Sequence, residues 1–149
     1  MPPYRVLVVE DEKLIRTNIV EKIEQGNQNF VVVGTAADGA QALALFAAQP
    51  VDVLFTDIRM PVMDGLALAQ AVRTLYPAAQ IVIVSGYADF AYAQHAIRLG
   101  VEEYLLKPVK RDALLDVLRR IDAKLTQAAR HTNLELVRDA INGSLGVQR

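Results

Sequence analysis

The sequence contains no cysteine, so neither a disulfide nor a thiolate metal site can stabilise the fold or carry its chemistry. It also lacks any long apolar run. Its hydrophobic residues come in short bursts such as Val6-Leu7-Val8-Val9 and Ile81-Val82-Ile83-Val84, far below the roughly 20 consecutive residues that a membrane helix needs. Met1-Pro2-Pro3-Tyr4-Arg5 leads straight into a strand-like segment without an apolar h-region, which argues against a signal peptide and for a cytoplasmic location. Charge of neither sign is in excess: 16 Lys and Arg stand against 17 Asp and Glu, for a net charge of −1. With a pI near 6.1, these residues carry no basic surplus with which to hold a nucleic-acid backbone by themselves. What is present is a chain of 149 residues, 52% of them hydrophobic, long enough to bury the core of one globular domain.

Five apolar bursts recur along the chain: Arg5–Val9, Phe30–Thr35, Val51–Thr56, Gln80–Val84 and Glu103–Leu106. The first four are nearly continuous rather than alternating, the pattern of strands covered on both faces in a parallel sheet. The fifth mixes acidic residues with Tyr104, Leu105 and Leu106, which suits an edge. Between them lie segments of helical period, Lys13–Gln25, Gly39–Gln49, Gly65–Tyr76, Phe90–Leu99 and Lys110–Lys124. Asp38 and Asp64 are placed to cap helix starts, Pro50 and Pro77 follow helix ends, and Gly100 can supply a left-handed C-terminal residue. Strict alternation of strand and helix predicts an α/β fold, a doubly wound five-stranded parallel sheet in the order 2-1-3-4-5. In such a sheet ligands sit beyond the carboxyl ends of the strands, where the strand order reverses.

At that edge the sequence places Glu10 and Asp11 after strand 1, Asp57 after strand 3, Ser85 after strand 4, and Lys107-Pro108 after strand 5. Any one of these has an ordinary reading. Acids after strands serve as turn residues or helix caps, and Asp11 could simply cap the first helix. Together they set three carboxylates, a hydroxyl and an amine at one rim. Three crowded acids raise one another's pKa unless a cation neutralises them, and the hard, oxygen-seeking Mg²⁺ suits carboxylates and a substrate phosphate. His95 and His131 fall on predicted helices away from the rim, which argues against a histidine-based transition-metal site.

Glu10-Asp11, the run Thr56-Asp57-Ile58-Arg59-Met60-Pro61-Val62-Met63-Asp64-Gly65, Ser85-Gly86-Tyr87-Ala88 and Tyr104-Leu105-Leu106-Lys107-Pro108 occur in order and in register with the predicted strands. As a set they resemble the receiver (REC) domain of bacterial two-component response regulators, over about residues 4–124. Tyr87-Ala88-Asp89-Phe90-Ala91-Tyr92-Ala93 and Leu99–Leu106 resemble receivers linked to AraC-type (YesN-like) DNA-binding domains. The resemblance implies that Asp57 accepts a phosphoryl group from a sensor histidine kinase and then loses it by self-directed hydrolysis. It implies a Mg²⁺ site made by Asp11, Glu10 acting through water, Asp57 and the main-chain carbonyl of Arg59. It further implies that Lys107 pairs with Asp57 or the phosphoryl oxygens, that Ser85 bonds a phosphoryl oxygen, that Tyr104 turns inward as the switch, and that Pro108 follows a cis peptide. Arg59 and Tyr87 would shield the phosphoryl group from water.

The same reading divides the chain into a receiver over 1–124 and a helical linker over 125–149. Leu114, Leu118, Ile121, Leu125, Ala128 and Thr132 repeat in steps of four and three, as a coiled-coil seam does, or as the core face of a last helix. The spacing breaks before Leu134, Val137 and Ile141, and Asn142-Gly143-Ser144 suggests a loosening end. The extended helix could pair with a second copy on phosphorylation, and DNA would be bound only by an output domain outside these residues. Other classes fit less well. An aspartate-nucleophile phosphatase of the haloacid dehalogenase type needs an acid two residues after its nucleophile, where Arg59 stands. A flavodoxin-like carrier needs a phosphate loop after strand 1, where Glu10-Asp11-Glu12 would repel it. A phosphorylation-independent pseudo-receiver remains the alternative.

Overall fold

In a computed structural model, which describes residues 2–86 and 90–144, the apolar bursts become five parallel strands. These are β1 (Tyr4–Val9), β2 (Phe30–Ala36), β3 (Val53–Asp57), β4 (Gln80–Ser85) and β5 (Glu103–Leu106), in the order β2-β1-β3-β4-β5. Between them run α1 (Lys13–Gly26), α2 (Gly39–Ala48), α3 (Gly65–Leu75) and α4 (Phe90–Arg98), and α5 (Arg111–Ser144) follows β5. Successive strand side chains point to opposite faces, and each face has its own core. Val6, Val8 and Phe55 pack with Ile19 and Ile23 of α1 and with Leu114, Leu118 and Ile121 of α5. Leu7, Val9 and Leu54 pack with Phe46 of α2, Leu68 and Val72 of α3, and Ala96 of α4. Among the described residues, no helix is long and apolar enough to cross a membrane.

The expected punctuation holds. Asp38 Oδ1 accepts from the Gln41 N–H and Asp64 Oδ1 from the Ala67 N–H, both at 2.8 Å, satisfying first-turn donors of α2 and α3. Gly100, at φ 78°, closes α4, and the Lys107–Pro108 peptide is cis. Three local expectations are corrected. Residues 31–34 of β2 are half-buried rather than covered on both faces, because β2 is an edge strand with β1 as its sole neighbour. Asp11 does not cap α1; Glu12 takes the N-cap position without a side-chain bond. The last helix extends beyond Lys124 as expected but does not loosen at Asn142, running unbroken from Arg111 to Ser144. No proline or glycine interrupts residues 111–142, and a lapse in the apolar repeat removes packing without removing a backbone hydrogen bond. The helix leaves the body gradually. Leu125 still packs on the core and the Thr126 hydroxyl meets the Tyr4 hydroxyl at 2.9 Å.

Charged residues lock the rim at the amino ends of the strands. Asp52, just before β3, accepts the Arg5 N–H at 2.8 Å, and the Arg5 guanidinium reaches the Pro50 carbonyl and Gln49 Oε1, both at 2.7 Å. Arg73, in the last turn of α3, donates to the carbonyls of Pro77, Ala79 and Gly100, each at 2.9 Å, and to both oxygens of Glu102 at 2.8 and 3.0 Å. Glu102 in turn accepts the Ile81 N–H of β4 at 2.7 Å.

Candidate functional site

The opposite rim is built from the residues that follow each strand. Val9 pairs with Thr56, so Glu10 and Asp57 emerge side by side, one residue further along. Leu106 pairs with Ser85, and the Lys107 N–H donates to the Ser85 carbonyl at 2.7 Å, which turns the β5 exit toward the other two. The Lys107 ammonium then lies between two carboxylates, 2.7 Å from Glu10 Oε1 and 3.1 Å from Asp57 Oδ2. Asp57 Oδ1 accepts the Ile58 N–H at 2.8 Å, and Glu10 Oε2 accepts the Glu12 N–H at 3.1 Å. Glu10 and Asp57 are buried, at 1% and 7% exposure, whereas Asp11 is exposed at the mouth.

This crowding has an electrostatic signature. Burial pushes the Glu10 carboxyl up from 4.5 to about 7; the Lys107 ammonium pulls it down, and the neighbouring Asp11 and Asp57 add to the rise. For Lys107, burial alone would favour the neutral amine, but the bonds to Glu10 and Asp57 outweigh it and hold the pKa above its ordinary value. One ammonium thus bridges two buried carboxyl groups, with a third, Asp11, close by.

Glu10, Asp11 and Asp57 can each bring an oxygen within 4.8 Å of the others. An all-oxygen set of acids, one deeply buried and reluctant to ionise beside its neighbours, fits a hard divalent cation such as Mg²⁺. Both histidines stand elsewhere, His95 on α4 and His131 on α5, where it pairs with Glu135 at 2.9 Å.

Ser85 is fully buried at the end of β4, and its hydroxyl donates to the Gly86 carbonyl at 3.1 Å. Tyr104, in register with Ile83, is already half-buried and packs against the core beneath α2–α4. Arg59 follows Asp57 by two residues on the rim, while Tyr87 lies outside the described residues.

Several supporting residues carry no motif of their own. Gly65 opens α3 directly against the Asp57 backbone: a Cβ there would lie 2.8 Å from Ile58 Cα and closer still to the Asp57 carbonyl oxygen. Its N–H donates to the Ile58 carbonyl at 2.7 Å, so the glycine lets the α3 start seat the turn that carries Asp57. Val62, in the same β3–α3 loop, stands at φ 68°, a left-handed conformation that costs a β-branched residue about 1–2 kcal/mol. Thr56 Oγ1 donates to the Asp57 carbonyl at 2.9 Å, and Arg16 of α1 donates to the Glu10 carbonyl at 2.7 Å. A small residue beside the Asp64 cap was a visible signal for Gly65; a basic residue on a helix, such as Arg16, looks like any surface cation.

Residues 6–119 match the family model of the response regulator receiver domain. The transcriptional regulatory protein YesN of Bacillus subtilis is 32% identical over 128 residues, 86% of this chain and 35% of that protein. The transcriptional regulatory protein HptR of Staphylococcus aureus is 35% identical over 79% of this chain and 46% of its own length. The chain therefore spans half or less of these curated relatives. Among solved structures, the REC domain of AraT, a response regulator from Geobacillus stearothermophilus, is 43% identical with a TM-score of 0.80, covering 85% of this chain and 98% of that one. A two component transcriptional regulator AraC from Clostridium phytofermentans is 32% identical with a TM-score of 0.75, covering 86% and 98%.

Proposed function

Since this chain belongs to the response regulator receiver domain family, we propose that it accepts a phosphoryl group on Asp57 from a phosphohistidine of a sensor histidine kinase and switches conformation to control transcription. The observation that carries this reading is the buried Asp57 carboxylate, with one oxygen held by the Ile58 N–H and the other beside the Lys107 ammonium. Oδ1 is fixed by its backbone bond, which leaves Oδ2 to attack phosphorus. The phosphorus–nitrogen bond breaks as the acyl phosphate forms, and the histidine nitrogen leaves with the electron pair and takes a proton. Hydrolysis of the acyl phosphate by the domain itself returns the carboxylate and inorganic phosphate. Such a transfer needs positioning and charge neutralisation more than a general base.

Lys107 holds charge at the attacked group, and the Glu10 carboxylate keeps that ammonium in place. Asp11, Glu10, Asp57 and the Arg59 main-chain carbonyl would hold Mg²⁺, which when bound neutralises the crowded acids and the incoming phosphoryl oxygens. The Ser85 hydroxyl turns from the Gly86 carbonyl to a phosphoryl oxygen, drawing its loop inward. Tyr104 then completes the inward turn it has half made in this structure. These bonds exist in one of two packed states, so phosphorylation shifts the population toward it. The Arg59 side chain shields the phosphoryl group from water.

The kinase docks beside the site, where the exposed Leu14 of α1, with Asn18, Lys22 and Pro108, lines an apolar groove next to Lys107. A homodimer formed on phosphorylation, a cytoplasmic location and DNA binding through an output domain outside these residues complete the reading; both relatives named above are transcriptional regulators.

Intact mass after incubation with acetyl phosphate tests it. The wild type gains one phosphoryl group only with Mg²⁺, and Asp57→Asn gains none. No gain in the wild type under any condition replaces this reading with a phosphorylation-independent interaction module.

A further inference from the structure

The turn that carries Lys107 is held from one side by its own strand partner, through the Lys107 N–H and the Ser85 carbonyl. Past that bond the Val109 side chain is buried in the core, but among the described residues the turn's backbone has no hydrogen-bond partner of its own. Pro108 has no N–H to donate, and the Val109 carbonyl precedes Lys110, whose carbonyl is the first α5 acceptor, taking the Leu114 N–H. The partner of the Val109 carbonyl comes from 87 residues away: Lys22 Nζ, on α1, donates to it at 2.6 Å. Lys22 is half-buried, and its helix cannot drift, because Ile19 and Ile23 on either side of it are locked in the core.

We propose that Lys22 is a positioning residue for phosphoryl transfer, pinning the Val109 carbonyl so that the Lys107 ammonium stays at Asp57. The proposal rests on the phosphotransfer reading above. A lysine side chain has about 2 kcal/mol of rotamer freedom, so where its ammonium dwells depends on how firmly its backbone is anchored. Displacing such a cation by about 1 Å can cost on the order of 10²-fold in rate. Lys22 also lines the groove next to Lys107, so a body seated there would bear on the bond that fixes the cation.

The test is a double-mutant cycle on the full chain, timing phosphorylation by acetyl phosphate at saturating Mg²⁺. Lys22→Met keeps the apolar stem and removes the donor. It should slow the rate at saturating donor by about tenfold with the half-saturation concentration unmoved, and Lys22→Arg, which restores a donor, should recover most of the rate. In a Lys107→Ala background Lys22→Met should change nothing, because the group it positions is gone; Lys107→Gln, which also lacks the ammonium, serves as the background if the alanine variant is too slow to time. Lys22→Gln provides the same comparison if the methionine variant folds poorly, and denaturant midpoints monitor folding throughout. The same slowing in both backgrounds, or none in the wild-type background, overturns the positioning role while leaving phosphotransfer intact. A wild-type chain that takes no phosphoryl group overturns both.

Discussion

The two rims of the sheet are built from the same charged residue types to opposite ends. At the amino rim each acid meets its complement: Asp52 accepts the Arg5 N–H, and Glu102 is gripped through both oxygens by Arg73 while it accepts the Ile81 N–H. At the carboxyl rim three acids crowd together, two of them sharing one ammonium, and Glu10 is pushed up to about 7 by burial and by its acidic neighbours. The first rim pairs both of these acids within the chain, though among the described residues Arg73 Nε and Gln80 Oε1 are buried there without a partner. The second holds charge in excess of what the chain compensates, and it carries a left-handed valine in its loop. A binding rim must leave part of its electrostatics for the ligand to satisfy, and stability has to come from elsewhere in the fold.

Three changes would break or sharpen this contrast. The largest effect is expected of Gly65→Ala at the site rim, where the new methyl meets the backbone of Asp57 and Ile58 rather than a side chain that could move. We expect a loss of about 3 kcal/mol, read as a lower denaturant midpoint; an unchanged midpoint would show that the α3 start can slide away from Asp57. Next comes Arg73→Met at the amino rim, which strips Glu102 of its cation and three carbonyls of a donor. A loss of about 2 kcal/mol is expected, and a loss below about 0.5 kcal/mol would mean that this rim is no stronger than an ordinary surface pair.

The third change should stabilise. A carboxyl with a raised native pKa binds its proton more tightly folded than unfolded. Its contribution is therefore most favourable below pH 4.5 and is lost as pH rises from 4.5 through about 7. Glu10→Gln is neutral throughout, so without Mg²⁺ it should be more stable than the wild type at pH 8 by about 1–2 kcal/mol, part of the gain being returned with the Lys107 ion pair. The advantage should shrink toward pH 5. A wild type equally stable at both pH values, relative to the variant, would show that the site acids are not in conflict.

Much of this was legible before any coordinates. Four of the apolar bursts and the acidic fifth appear as strands within a residue or two, because each strand of a parallel sheet packs apolar side chains against a core, on both faces for the central three. Asp38, Asp64 and Gly100 mark element ends through local hydrogen bonding and backbone conformation, which depend on few neighbours. The rim residues Glu10, Asp57 and Lys107 were found because strand ends and topology fix where they stand, and the structure brings their side chains into contact. The extended C-terminal helix was expected and is present; only the loosening at Asn142 was misplaced, because the apolar repeat reports packing partners whereas helix continuity depends on propensity and backbone bonding. Arg16 and Lys22 were missed because each acts on a main-chain carbonyl, and a carbonyl leaves no mark in the sequence.

The sequence by itself determined the alternation of strand and helix, the order of the sheet and the residue types at its carboxyl rim, since these follow from period, caps and chain connectivity. The tertiary structure alone decided which acid is buried and which exposed, that Lys107 bridges Glu10 and Asp57, and that α1 anchors the turn behind it. Those are matters of distance between segments far apart in the chain, set by how two cores pack on the sheet.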